Sequence, residues 1–167
     1  MVKHGKVIII LKIIDVPSHS IHPLTKEVAF EAASNLRYED YREITEGHGL
    51  DPIPFLTDDV HKGYQISIQA PNGKTAGIGG VQDQGVIWLL TTPVIYDYPV
   101  SFARVCKQLI KEQQELNPIL WNIVDKRNVE HLKLLKFLGF KFIREIKHGP
   151  HKLSFIEFCR VHRFKSK

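Results

Sequence analysis

The chain has 167 residues, 43% of them hydrophobic and 25% charged. That is a globular composition, with enough length to bury a core without metal or disulfide support. A formal charge of +5 and nine histidines permit contact with nucleic acid, acidic proteins or an anionic cofactor but select none of them. Cys106 and Cys159 are the only cysteines, too few for a disulfide framework and suited to a reducing compartment.

The longest apolar run, "KVIIILKII" at residues 6–14, is interrupted by Lys12. It is far shorter than the roughly 20 residues of a membrane span and lacks the small-residue cleavage site of a signal peptide. It reads as a buried strand over Val7–Ile14, rich in β-branched residues. "DVPSHSIHP" reads as a loop, and Pro23 as the first turn of a helix from about Leu24 to Tyr41. "EGHGLDPIP" breaks that helix, and "FLTDDVHKG" reads as a short one closed by Gly63. "YQISIQA" alternates as a half-buried strand, and "PNGK" is a hairpin turn. "TAGIGGV" is a weak strand whose small residues allow close approach, and "VIWLLTT" reads as a strand covered on both faces.

In "YPVSFARVCKQLIKEQQELN", Phe102, Val105, Cys106, Leu109 and Ile110 recur at helical spacing. "ILWNIVD" is the next strand. Asn128 opens a helix that buries Leu132, Leu135 and Leu138 and ends at Gly139. "FKFIREI" and "LSFIEFCRV" form a closing hairpin, and residues 162–167 read as a basic, fraying tail. No repeat or low-complexity tract divides residues 1–167, so they read as one domain. Helices interleaved with a strand meander predict a mixed α/β sheet of six to seven strands, mostly antiparallel, with helices on both faces.

That element order, closing on Asn128, a helix and Phe140, resembles the GNAT (N-acetyltransferase) fold. The resemblance implies that the fourth strand and the helix after it hold acyl-CoA, admitted where the fourth and fifth strands splay. "AGIGGVQDQGVIWLLTT" and "LWNIVDKRNVEHLKLLKFLGFKFIRE" are similar to a family of small proteins from short-tailed bacteriophages. The internal virion (internal core) protein A group belongs to that family, as do many members with no assigned activity. This resemblance implies a role in virion morphogenesis, in the host cytoplasm or the virion, through contacts with other phage or host proteins.

Acyl transfer needs a pyrophosphate cradle, an acid for the departing thiolate and a base for the amine. The cradle of such enzymes is a glycine-containing turn whose N–H groups face the anion from a helix N-terminus. Residues 91–104, "TTPVIYDYPVSFAR", contain no glycine, have two prolines without N–H donors, and place Asp97 against a phosphate. The resemblance implies a tyrosine acid seven residues after Asn128. Leu135 stands there, and the roughly 10²- to 10⁴-fold of general acid catalysis goes with it. Tyr96 or Tyr98 could replace it only if the fold brings one to the cleft. Glu43, Glu157, Asp83 and the histidines are available as bases. No catalytic residue is assigned. If acyl-CoA binds, the resemblance implies contacts at Leu89, Leu90, Thr91 and Asn128, whereas Asn128 read alone is a helix cap worth about 1 kcal/mol.

Trp88 and Trp121 read as core anchors, with Asn122 and Asp125 nearer the splayed end. His148, His151, Cys159 and His162 suggest zinc, but strand geometry puts His151 and Cys159 roughly 26 Å apart, too far for a shared ion. No metal is expected. "GIGG" at 77–80 lacks the Gly-Lys-Ser/Thr of a nucleotide loop. Lys126, Arg127, Lys133, Lys136, Lys141, Arg144 and Lys147 could form a basic face toward nucleic acid, without a groove-reading motif. The sequence reading is therefore an acetyltransferase-like fold reused for virion assembly, with no cofactor. An acetyl-CoA-dependent N-acyltransferase with a divergent loop is the alternative.

Overall fold

A computed structural model describes residues 18–60 and 62–163. The expected strand at Val7–Ile14 and the last four residues of the tail lie outside them. In chain order the elements begin with β1 (Ser20–Pro23), α1 (Lys26–Ser34), α2 (Tyr38–Arg42), a π-helical turn (Glu43–His48) and α3 (Pro52–Thr57). They continue with β2 (Tyr64–Gln69), β3 (Thr75–Gln82), β4 (Val86–Thr91), α4 (Pro99–Leu116) and β5 (Ile119–Asp125). α5 (Val129–Phe137), β6 (Lys141–His148) and β7 (Leu153–Val161) complete the order.

Seven strands form one sheet in the order β1-β2-β3-β4-β5-β7-β6, antiparallel except where β4 meets β5. One face is covered by α4 and α5, whose Phe102, Cys106, Ile110, Leu135 and Leu138 pack on Ile66, Ile68, Leu120 and Phe158. The other is covered by α1, the π-helical turn and α3, with Ala29, Ala32, Ile44 and Leu56 against Ile78 and Leu90. The mixed α/β sheet with helices on both faces is therefore as expected.

The N-terminal third differs in detail from its sequence reading. Ser20–Pro23 is a strand rather than part of a loop, because Ser20 to Pro23 pair with Gln69 to Ile66. Pro23 ends that strand, and Thr25 caps the helix instead, accepting from the Val28 N–H. The expected helix over 24–41 is two helices. Arg37 leaves helical geometry at ψ 150°, and its N–H donates to the Thr91 carbonyl across the sheet face. Pro52 starts α3 earlier than the reading from Phe55, with Asp51 capping it. The last described residues are held as well, since the His162 N–H donates to the Pro118 carbonyl.

Within β3 the run of small residues is a packing device. A Cβ at Gly79 would lie 2.8 Å from the Trp88 carbonyl, a distance side-chain carbons do not tolerate, so β3 and β4 approach closely only because glycine is there.

Candidate functional site: the cleft between β4 and β5

β4 and β5 are joined at a single residue pair, Val86 with Trp121. Just beyond it the Asn122 side chain stands between them. Its Nδ2 donates to the Ile87 carbonyl at 2.7 Å, and its Oδ1 accepts from the Ile123 N–H at 2.8 Å. These are the two groups a continuing parallel ladder would join directly, so Asn122 acts as a wedge. Trp121 secures the apex by donating from Nε1 to the Gln84 carbonyl.

Backbone direction along β4 then follows from alternation. Ile87 and Thr91 turn their polar groups away from β3, as their partners Asn122, Arg37 and Asp40 demonstrate, so Leu89 between them does the same. Its N–H and C=O face the cleft and have no partner among the described residues. A cavity of about 380 Å³ runs through the sheet here. Cys106, Ile110 and Leu135 line it on one face, and Ile44, Leu56 and Glu43 on the other. A second cavity of about 250 Å³ opens between α4 and α5, bounded by Leu89, Phe102, Leu134 and Phe137.

At the C-terminal end of β4 the cleft is filled by a buried polar network. Arg37 Nε donates to Asp40 Oδ2 at 3.0 Å and to Thr91 Oγ1 at 2.7 Å, and its Nη2 donates to Asn128 Oδ1 at 3.0 Å. Asp40 Oδ2 also accepts from the Thr91 N–H and hydroxyl. Asn128 Nδ2 donates to Asp40 Oδ1 at 2.9 Å and to Glu43 Oε2 at 3.2 Å. Arg37, Asp40 and Asn128 are each 3% exposed or less.

The capping expectation for Asn128 is overturned. It stands at the N-cap of α5 but makes no side-chain cap bond, because three longer-range partners take its amide. Of the four residues implied as acyl-CoA contacts, Leu90 turns its backbone to β3, while Thr91 and Asn128 are spent inside the network. Of these four, Leu89 is the one whose backbone faces the cleft with no partner among the described residues. Leu135 is buried in the core. Tyr96 does reach the cleft mouth, where its hydroxyl accepts from Arg37 Nη1 at 3.3 Å, and Tyr98 packs on His19.

Among the candidate carboxylate bases, Glu43 is the one that lines the cleft. Burial, then the charge of Asp40, pushes its carboxyl up to about 8, against hydrogen bonds from Asn128 and the Asp125 backbone. Glu157 is paired with Arg144 at 2.6 Å, and Asp83 is exposed in a turn. His131, which lines both cavities, is lowered below its usual value by burial. Sequence reading missed Arg37 and Asp40 and did not single out His131 among the histidines; nothing local to Arg37 and Asp40 signals that they converge on Asn128.

Asp40, Glu43 and His131 offer ligand atoms within 4.8 Å of one another. The Arg37 guanidinium already neutralises Asp40, and a cation there would meet that positive charge. The residues weighed for zinc are dispersed. His148 contacts His48 at 2.8 Å, at the opposite end of the β6–β7 ladder from Cys159. Burial raises the Cys106 thiol to about 12, which fits an inert core residue. The basic face is largely paired internally: Lys126 with Glu145, Arg127 with Glu46 and Asp125, Lys133 with Glu130 and Arg144 with Glu157.

A seven-stranded mixed sheet opened between β4 and β5, with helices on both faces, is the GNAT acetyltransferase fold. Solved structures of that fold match over most of their length. The ribosomal-protein-S18-alanine N-acetyltransferase of Escherichia coli is 15% identical at TM-score 0.64, covering 89% of this chain and 97% of that one. A GNAT-family acetyltransferase from Bacillus anthracis is 12% identical at TM-score 0.64, covering 86% and 95%. The putative acetyltransferase yncA from Salmonella typhimurium, solved with acetyl-CoA, is 12% identical at TM-score 0.62, covering 90% and 97%. At these identities the likeness concerns the fold alone. In sequence, residues 66–147 match the family model of the probable scaffold protein Gp13 of bacteriophage T7. No curated protein matches the chain.

Proposed function

We propose that this chain is a phage assembly protein that uses the acetyltransferase fold for protein–protein contacts and does not transfer acyl groups. It would act during virion morphogenesis in the host cytoplasm and could remain in the particle as an internal core component. The observation that carries this reading is the sealed end of β4, where Arg37 and Asp40 take both backbone groups of Thr91 and Asn128 is consumed in the same network. The segment after β4 supports it: the 3₁₀ turn Pro93–Tyr96 and α4 both begin with proline, where a phosphate cradle needs free N–H donors. The likeness of residues 66–147 to a scaffold family agrees.

Calorimetry with acetyl-CoA tests the reading. No heat is expected at millimolar cofactor, and none in Leu135→Tyr, which restores only the phenol. Micromolar binding weakened by Asn128→Ala would overturn it in favour of an N-acyltransferase. That second reading has one observation of its own, the Glu43 carboxyl lining the cleft with a pKa near neutrality. Detection of the chain in purified particles, against infected-cell lysate only, separates a virion component from an assembly factor.

A further inference from the structure

We propose that the outer surface formed by α4, α5 and the start of β6 binds single-stranded nucleic acid. Lysine and arginine side chains hold its phosphates, and two of its bases stack on Phe137 and Phe142. The inference goes beyond the reading above and uses none of the residues that seal the end of β4.

The cations left without acidic partners carry it. α4 presents Arg104, Lys107 and Lys111, all exposed, while Phe102, Cys106 and Ile110 of the same helix are buried. Their spacing of three and four residues puts the three cations on one side of the helix. Lys136 near the end of α5 and Lys141 at the start of β6 are exposed too. None of these five is in an ion pair among the described residues, unlike Lys126, Arg127, Lys133 and Arg144. The acids of the two helices do not cancel them. Glu130 is taken by Lys133, Glu112 accepts from Gln108, and Glu115 lies in the last turn of α4, past the three cations. Such a concentration of unpaired positive charge is matched by a polyanion.

Two rings join these cations into one surface. Lys107 Nζ reaches from α4 to within 5.2 Å of the Phe137 ring centre on α5, and Lys136 Nζ reaches from α5 to within 5.5 Å of the Phe142 ring centre on β6. Phe137 is 50% exposed and Phe142 37%, so both rings leave apolar area in water. Alternating cations and rings supply what a single strand needs, charge for its backbone and flat apolar faces for its bases. An exposed cation–π contact is weaker than a base stacked on the same ring. An arriving base therefore displaces the ammonium, which stays beside the ring to meet the phosphate. A duplex keeps its bases stacked on one another, away from the rings. An acidic peptide matches the charge but gives the rings no flat partner.

Fluorescence anisotropy of a labelled oligothymidylate of about 15 nucleotides, titrated with the full chain, tests the proposal. Five cations on a single strand predict a log–log salt dependence of slope about −3.5, and Lys107→Gln with Lys136→Gln should reduce its magnitude by about 1.4. Phe137→Leu and Phe142→Leu should each weaken binding about 10-fold and leave the slope unchanged, with urea midpoints certifying the fold of each variant. No binding at low salt, unchanged affinity in both phenylalanine variants, or equal affinity for a duplex of the same length would overturn the proposal. Equal binding of polyglutamate of matched charge would replace it with an acidic protein partner. Phe137 also bounds the cavity between α4 and α5, so displacement by acetyl-CoA is the remaining measurement. Release of the oligonucleotide by millimolar acetyl-CoA would assign the surface to the nucleotide end of a cofactor and sink the cofactor-free reading with it. Loss of the phenylalanine effect without such release sinks this proposal alone.

Discussion

Thr91 and Leu89 point their backbone groups into the same cleft, two residues apart on β4, yet meet opposite surroundings. At Thr91 an arginine, two carboxylates and an amide converge from two separate segments, residues 37–43 and Asn128, each nearly excluded from water. At Leu89 the same strand faces an apolar cavity with no polar partner among the described residues. The splay of the fold is thus kept open at its apex by Asn122 and closed at its end by Arg37 and Asp40. Opening a sheet and filling the opening are separate problems, and this chain solves them with different residues.

The largest expected effect comes from breaking the seal. Asp40→Ala removes the buried counter-charge of the Arg37 guanidinium and leaves only the half-exposed Glu39 carboxylate at 3.7 Å, and loss of one partner of a buried pair costs about 3–5 kcal/mol. Urea denaturation should show the midpoint falling accordingly, with an unchanged slope. An effect below about 1 kcal/mol would mean that the network is solvated and the end of β4 is open. Asn128→Ser is the sharper substitution. Serine caps helices as well as asparagine does, so a capping role predicts a change of a few tenths of a kcal/mol. Loss of the bridge among Arg37, Asp40 and Glu43 predicts about 2 kcal/mol, from buried polar groups left unmatched.

These two substitutions also mark how far the sequence could be read. Strands with continuous or alternating apolar residues, such as β2, β4 and β5, and the amphipathic α4 were legible because their signals are local. The break between α1 and α2 was not, because it exists to bring the Arg37 N–H to Thr91, 54 residues away. Asn128 carried a correct local signal, the start of α5, and an incorrect role. Its side chain's partners come from the segment between Arg37 and Glu43, which no spacing around residue 128 reveals. Leu135 was legible as an absence of acid chemistry, but the network that fills the cleft end had to be seen in three dimensions.

At the apex the expected effect is smaller. Asn122→Ala removes both bonds of the wedge, but Ile123 N–H and the Ile87 carbonyl can then meet directly, so the net loss should be about 1 kcal/mol. The more telling measurement is exchange of the Ile123 amide. Slower exchange in the variant would show the strands zipping together, while faster exchange would show that the wedge is needed to protect them.

Glu43 gives the smallest effect near pH 5 and one that grows with pH. Its carboxyl, facing Asp40 from α2, Asn128 at the start of α5 and Asp125 at the end of β5, has a folded-state pKa raised from 4.5 to about 8. An acid with a raised pKa holds its proton in the folded chain when the unfolded chain has lost it. Its contribution to stability is therefore fully present below about 4.5 and is lost as pH rises to about 8. Glutamine keeps the acceptor oxygen and never ionises, so Glu43→Gln should match the unaltered chain at pH 5 and exceed its stability at pH 8. His48, held below its usual value by burial and by His148, gives a slope of opposite sign near its titration, so the difference between variant and parent is the quantity to follow. If that difference is flat across the window, Glu43 is solvated and ionised, and the seal at the end of β4 does not exclude water as its geometry implies.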